Sequence, residues 1–118
     1  MLDSGTTSLG AYAVFPGTNS APARVLLYNS VHYSGSGTRG TASIVLSGLQ
    51  SDLSSVRAKR LTAPSAPALS GQGVNIGGGT FDSSCAPAGT QGTEGIPVSQ
   101  GRVSVSIQDS EAVIVYLS

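Results

Sequence analysis

Two short segments of this chain are apolar on both faces when they are laid out as β-strands. Residues 24–31 read RVLLYNSV and residues 111–117 read EAVIVYL. Strands of this kind lie in the middle of a sheet and are covered by protein on each side. Neither segment approaches the ~20 apolar residues that cross a bilayer. A chain of 118 residues therefore has to place both strands inside one layered β-domain.

Several other segments alternate between apolar and polar residues, as strands with one buried face do. In residues 41–47 the side chains of Ala42, Ile44 and Leu46 point one way, and Val45 is an apolar exception on the polar face. Residues 102–107 (RVSVSI) alternate as cleanly, and Val103, Val105 and Ile107 are predicted to point inward. Further strands are predicted at residues 9–15 and, as short pieces, at residues 74–76 and 96–98.

Residues 54–61 (SSVRAKRL) allow two interpretations. In the strand interpretation, Val56 and Ala58 lie on the same face. The alternation of apolar and polar side chains is lost at Arg60, where a β-bulge could account for the change of phase. As a helix, the apolar residues of 46–56 would recur at roughly helical spacing. We favour the strand, because a glycine and three serines make a poor short helix.

The segments between these strands are rich in Gly, Pro and Ser. Residues 62–79 and 77–93 are both predicted as loops, since prolines break a β-ladder and glycines permit tight turns. Seven or eight short strands without a convincing helix are typical of a sandwich. We therefore predict an all-β fold, an antiparallel β-sandwich that occupies residues 1–118 as a single domain.

Composition excludes several classes of function. Charged residues make up 10% of the chain and the formal net charge is zero, which does not suit a nucleic-acid binder or a polybasic membrane-surface protein. The single cysteine, Cys85, cannot form an internal disulfide. With one histidine, His32, it cannot supply the three or four ligands of a zinc site. No metal or other cofactor is expected.

Four segments together resemble the C-terminal β-sandwich of glycoside hydrolase family 79, the β-glucuronidase and heparanase-like enzymes. They are residues 26–29 (LLYN), 57–64 (RAKRLTAP), 74–82 (VNIGGGTFD) and 103–115 (VSVSIQDSEAVIV). Their order matches that domain, and the stretch RLTAP at residues 60–64 is the most specific part. The resemblance extends over residues 9–117.

The resemblance implies a non-catalytic accessory domain. The catalytic glutamates of that family lie on a (β/α)8 barrel that hydrolyses glucuronides with retention, so no catalytic residue carries over to this chain. It further implies a secreted parent enzyme, although residues 1–10 (MLDSGTTSLG) show no signal peptide. Such sandwiches often take strands from the start of the enzyme, so the resemblance also predicts an incomplete sandwich here and is compatible with Met1 as an added start.

The acidic residues do not form a recognisable catalytic pair. They are Asp3, Asp52, Asp82, Glu94, Asp109 and Glu111, and the aspartates near turns, Asp109 among them, are expected to make Asx turns with the backbone. Tyr28 and Tyr116 lie in apolar runs and are predicted to belong to the core.

One cationic cluster, Arg57, Lys59 and Arg60, stands out in the sequence. Arg57 and Lys59 share a face of the predicted strand and could contact an anionic glycan. Arg60 and Tyr33 are further candidates for glycan or barrel contact. The same cations could instead protect a strand edge or contact the barrel.

Two alternatives to the accessory domain stay open at this point. One is a carbohydrate-binding module for anionic glycans, and the other is an adhesin-like or designed interaction sandwich. In the accessory-domain interpretation the partner is the catalytic barrel, and self-association is expected when the domain is isolated, because its both-face apolar strands lose their cover.

Overall fold

The computed structural model describes residues 4–18, 21–69 and 71–117. These residues form ten strands and no helix. The strands are β1 (Leu9–Val14), β2 (Arg24–Asn29), β3 (Thr41–Ser47), β4 (Ser55–Thr62), β5 (Asn75–Ile76), β6 (Gly79–Phe81), β7 (Pro87–Ala88), β8 (Glu94–Pro97), β9 (Arg102–Gln108) and β10 (Glu111–Tyr116). Met1 and Asp3, and the predictions made for them, lie outside the described residues.

The strands are arranged in two antiparallel sheets. Sheet A runs in the order β1-β2-β10-β4-β5-β6-β7, and β8 pairs with β4 beside this path. Sheet B consists of β3 and β9. The inner faces of the two sheets enclose one hydrophobic core. The predicted all-β sandwich is therefore confirmed, with β2 and β10 in the middle of sheet A as their apolar sequences require.

Residues 55–61 of this segment belong to strand β4 and not to a helix. The expected bulge is absent, because β4 pairs with β10 without interruption from Arg57 to Leu61. The regular alternation of the strand continues through Arg60. Its side chain therefore points to the inner side of the sheet, where Arg60 is paired with Val113. The apolar alternation ends at Arg60 because a charged side chain occupies an inward position there.

The loop predicted at residues 77–93 contains two strands that the sequence analysis missed. β6 pairs with β5 and with β7. These strands are two or three residues long and β7 is exposed, so they carry no alternation that a sequence pattern could reveal.

The core is built from the inward residues of both sheets. Its largest fully buried side chains are Leu27, Val103, Val105, Ile107, Val113 and Val115. Removing each of these from water contributes about 1.5–3 kcal/mol. Val103, Val105 and Ile107 point inward as predicted, and Val45 is 58% exposed on the outer face of sheet B, also as predicted.

The prediction for Asp109 was wrong. Its carboxylate accepts hydrogen bonds from Asn29 Nδ2 at 3.0 Å and from Gly40 N at 2.9 Å, rather than forming an Asx turn. The guanidinium of Arg39 donates to the backbone oxygen of Asp109. These contacts tie the loop between β2 and β3 to the β9–β10 turn, where Ser110 adopts a positive φ of 56°.

Candidate functional site

Four adjacent strands of sheet A, namely β1, β2, β10 and β4, turn a largely apolar surface away from the core. Their pairing register aligns the outward side chains in three rows of four positions. The first row is Gly10, Tyr28, Ala112, Leu61; the second is Tyr12, Leu26, Ile114, Lys59; the third is Val14, Arg24, Tyr116, Arg57. We call these twelve residues the outer face of sheet A.

Aromatic side chains give this face its shape. The rings of Tyr12 and Tyr28 are stacked, with centroids 6.1 Å apart and an angle of 16° between their planes. The ring of Tyr28 covers Gly10, where any Cβ would collide with it. The guanidinium of Arg24 lies 5.4 Å from the centroid of the Tyr116 ring, a cation–π distance.

Tyr28 and Tyr116 were predicted in the core, and the structure places them on the opposite face of their strands. Both are half-buried, because they are covered by neighbours on the outer face rather than by sheet B. The inward positions beside them belong to Leu27 and Val115, which are fully buried. The prediction failed because these strands are apolar on both sides, and their sequence does not tell which side faces sheet B.

The charged groups of the outer face all have one sign. Arg24, Arg57 and Lys59 supply three cations, and none of the twelve positions holds a carboxylate. Lys59 Nζ donates to Gln91 Oε1 at 3.0 Å. Within the described part of the chain, none of these three cations forms a salt bridge.

Arg60, the third member of the predicted cationic cluster, lies on the other side of β4. Its Nε contacts Glu94 Oε1 at 2.8 Å and its Nη1 contacts Glu111 Oε2 at 3.1 Å. Nη1 also donates to the backbone oxygen of Ser106 at 2.7 Å. Glu111 is buried and accepts a further hydrogen bond from Gln108 N at 2.7 Å. Arg60 therefore links strands β8, β9 and β10 at the edge of the core.

Tyr33 lies in the loop after β2. Its ring contacts the Arg39 guanidinium at 5.1 Å, its hydroxyl donates to Gly37 O, and its backbone N donates to Ser110 Oγ. The structure therefore brings Arg57 and Lys59 together on the outer face and leaves Arg60 and Tyr33 elsewhere. Glycan or barrel contact by these four residues stays a prediction.

Four of the five Asp and Glu side chains in the described residues, namely Asp82, Glu94, Asp109 and Glu111, are engaged in structural contacts. Glu94 and Glu111 share Arg60, and Asp109 holds a loop. In the loop after β6, a hydrogen bond from the Ser84 hydroxyl, with backbone bonds from Ala86 and Ser84, lowers the pKa of Asp82. Residues 4–18, 21–69 and 71–117 contain no group of three or more metal-ligating side chains, and no helix in these ranges could cross a membrane.

A second feature is an open cleft between the two sheets at their β1 and β3 side. Its volume is about 610 Å³. It is lined by Leu9, Ala11 and Ala13 of β1, by Ile44 and Leu46 of β3, and by Leu117. In the described residues β3 pairs only with β9, so the edge of β3 that borders the cleft has no strand beside it.

Comparisons with known proteins agree on one domain type. The model of the glycosyl hydrolase family 79 C-terminal beta domain matches residues 11–114. A similar solved structure is a 4-O-α-L-rhamnosyl-β-D-glucuronidase from Fusarium oxysporum 12S in complex with Rha-GlcA, with 40% sequence identity and a TM-score of 0.86. The match covers 98% of this chain and 25% of that chain. No curated protein sequence matches.

Proposed function

This chain belongs to the glycosyl hydrolase family 79 C-terminal beta domains, and on that premise we propose that it is a non-catalytic accessory domain of a β-glucuronidase-type enzyme. In this proposal a (β/α)8 barrel elsewhere in the parent chain carries the two catalytic glutamates and hydrolyses glucuronides with retention. The sandwich supports that barrel. The parent enzyme is proposed to act outside the cell, as the family resemblance implies.

The open cleft between β1 and β3 is the observation that carries this proposal. Sheet A places four long strands side by side, whereas sheet B has two strands. A further strand about 4.8 Å from β3 would lie over the inner face of β1. There it would cover Leu9, Ala11 and Ala13, which now face the cleft.

A strand supplied by the parent chain fits this position. It would pair with the free edge of β3 and direct apolar side chains into the cleft, which removes both an open edge and exposed apolar surface. The similar glucuronidase is four times as long as the matched segment, since this chain covers 25% of it. A longer parent chain has the residues to supply such a strand.

The accessory role is tested by comparing the full-length gene product with the 118-residue chain alone. We expect the full-length product to hydrolyse an aryl β-glucuronide and the pure domain to show no turnover. The reading frame should encode a barrel with a glutamate at the end of two of its strands. Turnover by the pure domain that is lost in Asp82→Asn or Glu94→Gln would contradict the proposal.

The strand supplied by the parent chain has its own test in amide hydrogen exchange. The β3 amides that do not donate to β9 should exchange slowly in the full-length product and quickly in the isolated domain. The β9 amides serve as the control, because their pairing with β3 is present in both. Equal exchange of these β3 amides in the two proteins would show that no strand is added at this edge.

Anionic glycan binding is the second candidate function, and one observation favours it. The outer face of sheet A combines the stacked Tyr12 and Tyr28 with Arg57 and Lys59 and has no carboxylate, as a flat platform for an acidic sugar needs. Titration of the isolated domain with glucuronic-acid-containing oligosaccharides tests it. Binding that Arg57→Ala and Lys59→Ala both weaken would support this function, and no binding would reject it.

A further inference from the structure

The two outer faces of this sandwich differ in chemistry. The outward residues of sheet B are polar apart from one valine, namely Thr41, Ser43, Val45 and Ser47 on β3 and Arg102, Ser104, Ser106 and Gln108 on β9. Ser43 and Ser104 hydrogen-bond to each other across this face. The polar side chains of this face can be hydrated by solvent. The outer face of sheet A instead exposes Tyr12, Val14 and Leu61 around Leu26 and Ile114.

The charges of the outer face of sheet A determine what kind of partner surface it would attract. Arg57 and Lys59 lie at one edge, on β4, and Arg24 lies in the same row as Arg57. Because no carboxylate on the face balances them, an apolar partner with carboxylates at its rim would be attracted, and a cationic partner would be repelled.

We propose that the outer face of sheet A is the surface on which the remainder of the parent enzyme docks, through an apolar centre and carboxylates that meet Arg57 and Lys59. The inference rests on the accessory role proposed above and adds the face and the chemistry of the contact. Three quarters of the similar glucuronidase lie outside the matched segment, which is enough chain for a domain that covers four strands.

Thiol labelling of the full-length gene product tests the docking. In a Cys85→Ser background, Val14→Cys and Leu61→Cys place thiols at opposite corners of the face, where the native side chains are 45% and 46% exposed. Val45→Cys on sheet B is the matched control, since Val45 is 58% exposed in a strand of the same kind. Without docking, the three thiols should react within about threefold of one another.

We expect the thiols at positions 14 and 61 to react about tenfold more slowly than the thiol at position 45 in the full-length product. Comparable reaction at either position overturns the docking proposal. Protection that disappears on dilution points to a second copy, and protection that requires added glycan points to a sugar, so both also overturn it. A reading frame without a catalytic domain would instead contradict the accessory role itself.

The predicted rim of carboxylates is tested by charge reversal. Arg57→Glu should accelerate labelling at position 61 about fivefold in the full-length product, because like charges then meet at the interface. Arg102→Glu makes the same change on the outer face of sheet B and should leave this rate unchanged. No acceleration with Arg57→Glu would show that the partner has no carboxylate there.

Discussion

Replacing Arg60 by methionine should cost this domain much of its stability. Glu111 is buried, its side chain being 4% exposed, and its ionic partner is Arg60 at 3.1 Å. Removing one member of a buried ion pair costs about 3–5 kcal/mol, because the other charge is left without compensation. We expect about 3 kcal/mol, at the low end of that range, since Arg60 is 26% exposed and water can replace part of the contact.

The other contacts of Arg60 do not change the order of magnitude of this loss of stability. Glu94 is 43% exposed, and exposed pairs are worth less than about 1 kcal/mol. The bond from Gln108 N to Glu111 persists in the variant, which limits the loss. With domain stabilities of about 5–15 kcal/mol, Arg60→Met removes a large fraction without abolishing folding.

Urea unfolding measures this loss. With a slope of about 2 kcal/mol per molar, 3 kcal/mol lowers the midpoint by about 1.5 M. Lys59→Met is the matched control at the neighbouring position of β4. Its Nζ forms an exposed hydrogen bond with Gln91, so its replacement should cost less than about 0.5 kcal/mol.

A double-mutant cycle identifies the cause. Glu111→Gln keeps an acceptor for Gln108 N and removes the charge, so adding it to Arg60→Met should recover about half of the loss. If Arg60→Met proves as mild as Lys59→Met, the buried charge of Glu111 does not depend on Arg60 and the reasoning is wrong.

Four further predictions concern the loops and the outer face. Cys85→Ser should change the free energy of unfolding by less than about 1 kcal/mol, because Cys85 is exposed; a loss of several kcal/mol in urea unfolding would contradict this. Gly10→Ala should lose about 1–2 kcal/mol, since its Cβ enters the tyrosine ring above it, whereas Gly95→Ala meets no atom within 4 Å and should lose less. The lowered pKa of Asp82 means that its stabilisation of the loop is present above the ordinary carboxyl pKa and is lost as pH falls through the lowered value. An NMR titration should show this pKa rising in Ser84→Ala, and an unchanged pKa would remove Ser84 as the main cause. Sedimentation equilibrium of the isolated domain should show a dimer or larger assembly at several hundred micromolar. A strict monomer would contradict this, because the open cleft and the outer face of sheet A would then remain exposed to solvent without self-association.

The sequence by itself determined the strands that have one polar face. In β3 and β9 the side chains alternate with period two, and that period follows from the geometry of the extended backbone. It assigns Ile44 and Val105 to the core and Val45 to the surface without knowledge of the partner strand. The resemblance carried by residues 60–64 and the closing strand likewise needed only the order of residues along the chain.

The tertiary structure alone decided which face of β2 and β10 is interior. Leu27 and Tyr28 are both apolar neighbours on one strand, so the pattern is the same whichever side is buried, and only the position of sheet B separates them. Arg60 is likewise ambiguous in sequence, because Glu111 lies 51 residues away and reaches it only when β10 pairs with β4. Local geometry fixes the alternation of side chains along a strand, whereas the partner of each face depends on contacts between distant segments.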